Sequence, residues 1–196
     1  MLAIIGGTGL YDLAGMQITQ EHAPDTPFGR ASGPVLQGRL HGHEILFLAR
    51  HGSGHRLLPH EVNYRANVFA LKACGATQLL GFSAVGSLAE HVAPGQLAMP
   101  SQYFDWTRGA RERSFFGGGV AAHVSTAMPV SGNLVDWVDA EAKRLGITLH
   151  TNLTYDNAKT NDIFYSDSWG AGHERKRMSA ADAWTITTGM TKIEPL

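Results

Sequence analysis

Residues 2–10 read LAIIGGTGL, and the reading of that stretch decides the fold class. Leu2 to Ile5 is an unbroken apolar run, the pattern of a strand covered on both faces. It stops at Gly6-Gly7-Thr8-Gly9. A strand buried on both faces needs a layer above and a layer below it, and a polar glycine loop directly after it belongs at the carboxyl end of a sheet strand. The arrangement recurs twice. Glu44 to Ala49 (EILFLA) runs into Arg50-His51-Gly52-Ser53-Gly54-His55, and Gln78 to Phe82 runs into Ser83-Ala84-Val85-Gly86. Between these, Asn63 to Lys72 (NYRANVFALK) repeats its apolar residues at helical spacing, with Asn63 as N-cap and Gly75 just past the end. Gly95 to Pro100 reads as a fourth strand, Asn133 to Leu145 as an amphipathic helix stopped by Gly146, and Ile147 to Tyr155 as another strand. Gly29 to Gly38 reads as loop, and Gly42-His43 turns the chain into the second core strand. Strands alternating with helices predict an α/β fold with a central, mostly parallel or mixed sheet.

The 196 residues suit one domain with a sizeable core, and no linker divides them. Hydrophobic residues make up 43% and charged residues 17%, the balance of a soluble globular chain. A formal net charge of -1 supplies no global field that would draw the protein onto nucleic acid or an anionic membrane. The one cysteine, Cys74, has no internal disulfide partner, which fits a reducing cytoplasm. No apolar run approaches the roughly 18 residues of a membrane helix. The apolar N-terminus lacks a basic leader and is soon broken by glycines, so it reads as a strand and not a signal peptide. After about Tyr155 the apolar periodicity weakens, and Trp169 to Met178 (WGAGHERKRM) is polar and broken by glycine.

The three loops carry the chemistry. Glycines let backbone amides approach an anion, the hydroxyls of Thr8 and Ser83 add hydrogen bonds, and Arg50 supplies a forked positive charge. Gathered in one cleft they form a site for a small oxyanion, most naturally phosphate. Gly6-Gly7-Thr8-Gly9 alone is neither a dinucleotide fingerprint nor a P-loop, since no Gly-Lys-Ser/Thr follows. On the residues alone, an anion site and three ordinary turns account for the pattern equally well. His51, His55 and His60 suggest a metal, but Gly52 and Gly54 interrupt the helix that a zinc motif needs, and the expectation is no metal. Cys74 reads as core packing, and no Ser-His-Asp order or nucleophile elbow can be made out.

The loops and their neighbours resemble a known family. IIGGTGL at 4–10, TPFG at 26–29, ARHGSGH at 49–55 and NYRAN at 63–67 are similar to the methylthioadenosine phosphorylase branch of the purine nucleoside phosphorylases. So are SAVGSL at 83–88, PGQLAMPSQYFDWT at 94–107 and SFFGGGVAAHVS at 114–125, giving seven motifs in unbroken order over about residues 1–130. The resemblance implies a twisted mixed sheet flanked by helices, assembled as a trimer. It implies phosphorolysis, in which phosphate attacks the anomeric carbon of a nucleoside and releases a free purine and a sugar 1-phosphate. Phosphate is then a co-substrate, and no metal or organic cofactor is needed. By position Thr8, Arg50, His51, Ser83 and Ala84 match the family's phosphate-binding residues, with serine at 83 where threonine is frequent. Val85 and Gly86 match the backbone along the base, and His123 matches a histidine that reaches a neighbouring subunit's site near the sugar 5′ end.

The last third departs from that pattern. The Glu-Gly-Pro-x-Phe segment that stacks on the purine is not found, and the chain reads as truncated or divergent after about 155. Gly189-Met190-Thr191 resembles the family's Met-Thr pair, which puts Met190 against the sugar and Thr191 on the phosphate, although only five residues follow. Asn161 to Ser166 (NDIFYS) is similar to a segment of the related trimeric and hexameric phosphorylases. Two other functions fit parts of the sequence. One is a nucleosidase using water, for which Arg50 would be superfluous. The other is a non-catalytic remnant that keeps the phosphate loops.

Overall fold

A computed structural model describes residues 1–87, 89–104, 112, 114–156 and 183–188. Within them the chain forms β1 (Leu2–Gly6), β2 (Gln17–His22), β3 (Val35–Leu40), β4 (His43–Ala49), α1 (Tyr64–Ala73), β5 (Gln78–Ala84), β6 (Gln96–Phe104), α2 (Gly132–Leu145), β7 (Leu149–Asp156) and β8 (Ala183–Thr188). The strands make one sheet in the order β2-β3-β4-β1-β5-β8-β6-β7. β1 pairs in parallel with β4 and β5, and β6 in parallel with β7 and β8. β2–β3, β3–β4 and β5–β8 are antiparallel. The fold is therefore the α/β arrangement around a mixed sheet that the sequence predicts.

Alternation along the strands sends successive side chains to opposite faces. Ala3 and Ile5 of β1 join Leu46 and Leu48 of β4 and Ala70 and Leu71 of α1 in one core cluster. Leu2, on the other face of β1, joins Leu80 and Phe82 of β5, Met99 of β6 and Leu134 of α2 in a second. The two helices thus cover opposite faces, which is why β1, β4 and β5 carry apolar runs instead of alternation. Asn63 caps α1 by accepting from Ala66 N at 3.1 Å. Gly146 ends α2 in the left-handed conformation, φ 68°.

Several strands and strand boundaries differ from the sequence reading. Residues 35–38 are not loop but the first part of β3. Gly38 belongs in this strand because a Cβ there would run into the carbonyl oxygen of Gln17 on β2, while Val35 is fully buried. The outer hairpin strand β2 has five exposed residues out of six and so carries no apolar signal. β5 continues through Ser83 and Ala84, which lie in the strand and not the loop after it, and β6 continues past Pro100 to Phe104. β8, which the sequence did not mark, inserts between β5 and β6.

Candidate functional site

β4, β1 and β5 are neighbours and run in parallel, so their carboxyl ends lie side by side. Gly6 pairs with Ala49 and Ile5 with Gly81, which puts the three following loops within two strand spacings, roughly 10 Å. The first residue after β4 closes the group. Arg50 N donates to Gly6 O at 2.8 Å. Its side chain turns across the β1 loop, and Arg50 Nη1 donates to Ser83 Oγ at 2.8 Å. Gly7 makes room for that path, since a Cβ there would lie 2.6 Å from Arg50 Nη2 and would also strike the carbonyl oxygen of Phe82. Arg50 therefore links the three strand ends, lying over Gly7 and bonding to Ser83. Thr8 follows Gly7 and is half-buried.

His51 is only 4% exposed. Its Nδ1 lies 2.8 Å from Leu57 O. A carbonyl can only accept, so Nδ1 carries the proton and donates, and in the neutral ring Nε2 accepts from Arg50 Nε at 3.4 Å. Burial is the main cause that holds the His51 pKa below the ordinary 6.5, and the charges of Arg50 and His55 act the same way against the Leu57 hydrogen bond. The ring stacks on His55 at 4.6 Å and 20°. His51 and His55 therefore meet face to face and not through nitrogens aimed at a common centre, while His60 is exposed. Among the described residues no group of three His, Cys, Asp or Glu side chains is placed to hold a metal.

Ala84 is 7% exposed at the end of β5, and Val85 beyond it is half-buried. A Cβ added to Gly86 would meet nothing within 4 Å, so its main chain faces open space. His123 is exposed. The aromatic pair before it divides its roles. Phe115 packs edge-on against Phe28 at 5.2 Å, and Phe28 also meets Phe69 and lies under the Arg65 guanidinium at 5.0 Å. Beyond that anchor Val120, Val124 and Met128 are 62%, 69% and 79% exposed. Cys74 lines the first core cluster, where burial pushes its thiol pKa up. Met190, Thr191 and the 161–166 segment lie outside the described residues.

Two supports were not recognised from the sequence. Asn67, 1% exposed on α1, accepts from Ser32 N at 2.7 Å and donates to Ser32 Oγ at 2.9 Å. It pins the 26–32 loop beside Gly52, whose added Cβ would lie 3.0 Å from Ser32 O. The available signal was an asparagine at a helical position flanked by apolar residues on both sides. Tyr11 meets His55, and its signal was the run of glycines around His55.

The model of the phosphorylase superfamily matches residues 1–179. The S-methyl-5′-thioadenosine phosphorylase of Geobacter sulfurreducens is 44% identical over 155 residues, 79% of this chain and 54% of the relative. A probable S-methyl-5′-thioinosine phosphorylase of Xanthomonas campestris is 47% identical over 76% of this chain and 60% of its own length. The chain spans about half the length of the curated relatives it matches. Among solved structures, a methylthioadenosine phosphorylase sourced from an Antarctic soil metagenomic library superposes with a TM-score of 0.73 at 40% identity, over 79% of this chain and 55% of that one. The apo methylthioadenosine phosphorylase of Schistosoma mansoni gives 0.70 at 31% identity, over 79% and 61%. Sheet, loops and relatives agree, and the chain belongs to the phosphorylase superfamily, in its methylthioadenosine and purine nucleoside phosphorylase branch.

Proposed function

We propose that the protein is a pentosyltransferase that cleaves a purine nucleoside by phosphorolysis, with 5′-methylthioadenosine, methylthioinosine or an inosine-like nucleoside as substrate. The observation that carries this reading is the contact between Arg50, Ser83 and Gly7 at three adjacent strand ends. The forked cation beside a hydroxyl and a glycine main chain suits a phosphate and is superfluous for water. The names of the relatives supply the nucleoside.

In the reaction a phosphate oxygen attacks the anomeric carbon as the glycosidic C–N bond breaks. The electron pair of that bond leaves on the purine, which takes up the proton that the phosphate gives up, and the sugar departs as its 1-phosphate. Positive charge develops on the ribose, and a phosphate held beneath it stabilises that charge before bonding to it. Arg50 and Ser83 hold the phosphate, with Thr8, His51 and the main chain at Ala84 completing its shell. Thr191 adds a further phosphate contact, Met190 packs on the sugar, and Val85 and Gly86 lie along the base. His123 reaches the 5′ end of the sugar in a neighbouring subunit of a cytoplasmic homotrimer serving purine salvage. Phosphate is the co-substrate and no other cofactor takes part. The whole chain, 1–196, forms one domain.

The test is purified protein with methylthioadenosine and with inosine, each with and without phosphate, followed by detection of free base. Base release that requires phosphate is expected. Equal release in water alone replaces the reading with a nucleosidase, and no release under either condition overturns it.

A further inference from the structure

The loop after β4 is closed on itself. Arg56 N and Leu57 N both donate to His51 O, at 2.9 and 3.0 Å, His55 N donates to Gly52 O at 3.3 Å, and the His51 ring donates back to Leu57 O. Three residues of this ring are left-handed: Gly52 at φ 73°, Gly54 at φ 72° and His55 at φ 54°. Glycine takes that conformation freely, whereas a residue with a Cβ is strained in it. A third glycine would relieve the backbone, yet a histidine stands at 55.

Its contacts show what the imidazole joins. The His55 Nδ1 is 2.8 Å from the Tyr11 hydroxyl, and the two rings meet edge to face at 5.5 Å and 89°. A face of the same imidazole stacks on His51. Tyr11 belongs to the loop after β1 that carries Gly7 and Thr8, and His55 to the loop that carries Arg50 and His51. The two loops are already joined at their base by Arg50 N to Gly6 O. Tyr11 and His55 join them again, farther along both loops from the strand ends.

We infer that Tyr11 and His55 are positioning residues, a clasp that holds the two anion-binding loops in register and presses His51 into its place beside Arg50. Neither need touch the phosphate. The clasp keeps the Arg50–His51 pair set before the anion arrives, so that the anion does not have to order the loops itself. This inference rests on the phosphorolysis reading.

The test compares Tyr11→Phe, His55→Ala, their double variant and His55→Asn in calorimetric phosphate titrations and in steady-state kinetics of the full chain. Asparagine accepts left-handed backbone and places an amide atom where the imidazole carries Nδ1. Expected are a rise of about three- to tenfold in phosphate Kd and phosphate KM for Tyr11→Phe and His55→Ala, little further loss in the double variant, an unchanged nucleoside KM, and recovery to within about twofold in His55→Asn. Unchanged phosphate affinity in both single variants, fully additive losses, or a nucleoside KM that rises in parallel overturns the clasp alone. No phosphate binding by the unsubstituted chain overturns the proposed function and the clasp together.

Discussion

Replacing Gly7 with alanine adds one methyl group at the point where all three strand ends meet. The added Cβ would lie 2.6 Å from Arg50 Nη2 and 3.2 Å from Cζ, against the roughly 3.5 Å that a non-bonded carbon needs. It would also strike the carbonyl oxygen of Phe82, which belongs to an interior strand and cannot swing aside as a side chain can. No left-handed backbone is involved at this glycine, so the whole penalty is steric. Overpacking of this kind costs about 1–3 kcal/mol, and a clash with sheet backbone belongs at the upper end. For a chain of this size that lowers Tm by roughly 4–12 °C. The flexible partner moves first. Arg50 is displaced from Ser83, and losing a charge-assisted contact to phosphate weakens binding by about ten- to a hundredfold. Gly33→Ala is the control, because nothing lies within 4 Å of a Cβ there and its φ is not left-handed. Thermal denaturation and phosphate calorimetry on both variants decide the matter. Gly7→Ala matching Gly33→Ala in Tm and in phosphate affinity would refute the packing of Arg50 over this glycine.

Arg50→Ala removes the fork and should weaken phosphate binding by about 1.5–3 kcal/mol without unfolding the chain, while Arg50→Lys rescues only part because it presents no fork. Unchanged affinity in the alanine variant, measured by calorimetry, counts against the site. Asn67→Ala strands the buried Ser32 N–H and removes two hydrogen bonds, for an expected loss of about 2–4 kcal/mol in urea denaturation; a loss below about 0.5 kcal/mol contradicts the buried pairing. His51 sets a pH dependence. Its folded pKa lies below the unfolded 6.5, so the unfolded chain binds the proton more tightly, and this contribution to stability is full above 6.5 and declines as pH falls from there towards the depressed value. His51→Asn keeps a donor for Leu57 O and loses the titration, so its urea midpoint should fall less than that of the unsubstituted chain between about pH 7 and pH 5. Parallel curves for the two proteins would remove His51 as the source.

The strands and loops that build the candidate site were legible because their signals are local. Each of β1, β4 and β5 is a continuous apolar run ended by a polar glycine segment, and burial on both faces imposes that pattern on any sequence that occupies an interior parallel strand. The caps of α1 and the glycine that ends α2 were legible for the same reason, since a cap is a contact between residues three or four apart. The outer hairpin was not. β2 is exposed and polar, and β3 passes through a glycine-rich stretch whose Gly38 answers to the backbone of the neighbouring strand and not to a turn.

What the sequence alone determined is the α/β class and the glycine-bearing polar segments that end its core strands. The tertiary structure decided which of those residues meet. Arg50 bonds to Ser83 across 33 residues, Ser32 to Asn67 across 35 and Tyr11 to His55 across 44. β8 enters the sheet beside β5 from about a hundred residues away. Such contacts leave no period in the sequence, because they arise only when parallel pairing brings separate strand ends side by side, and the spacing of residues along a chain does not record which strand will be its neighbour.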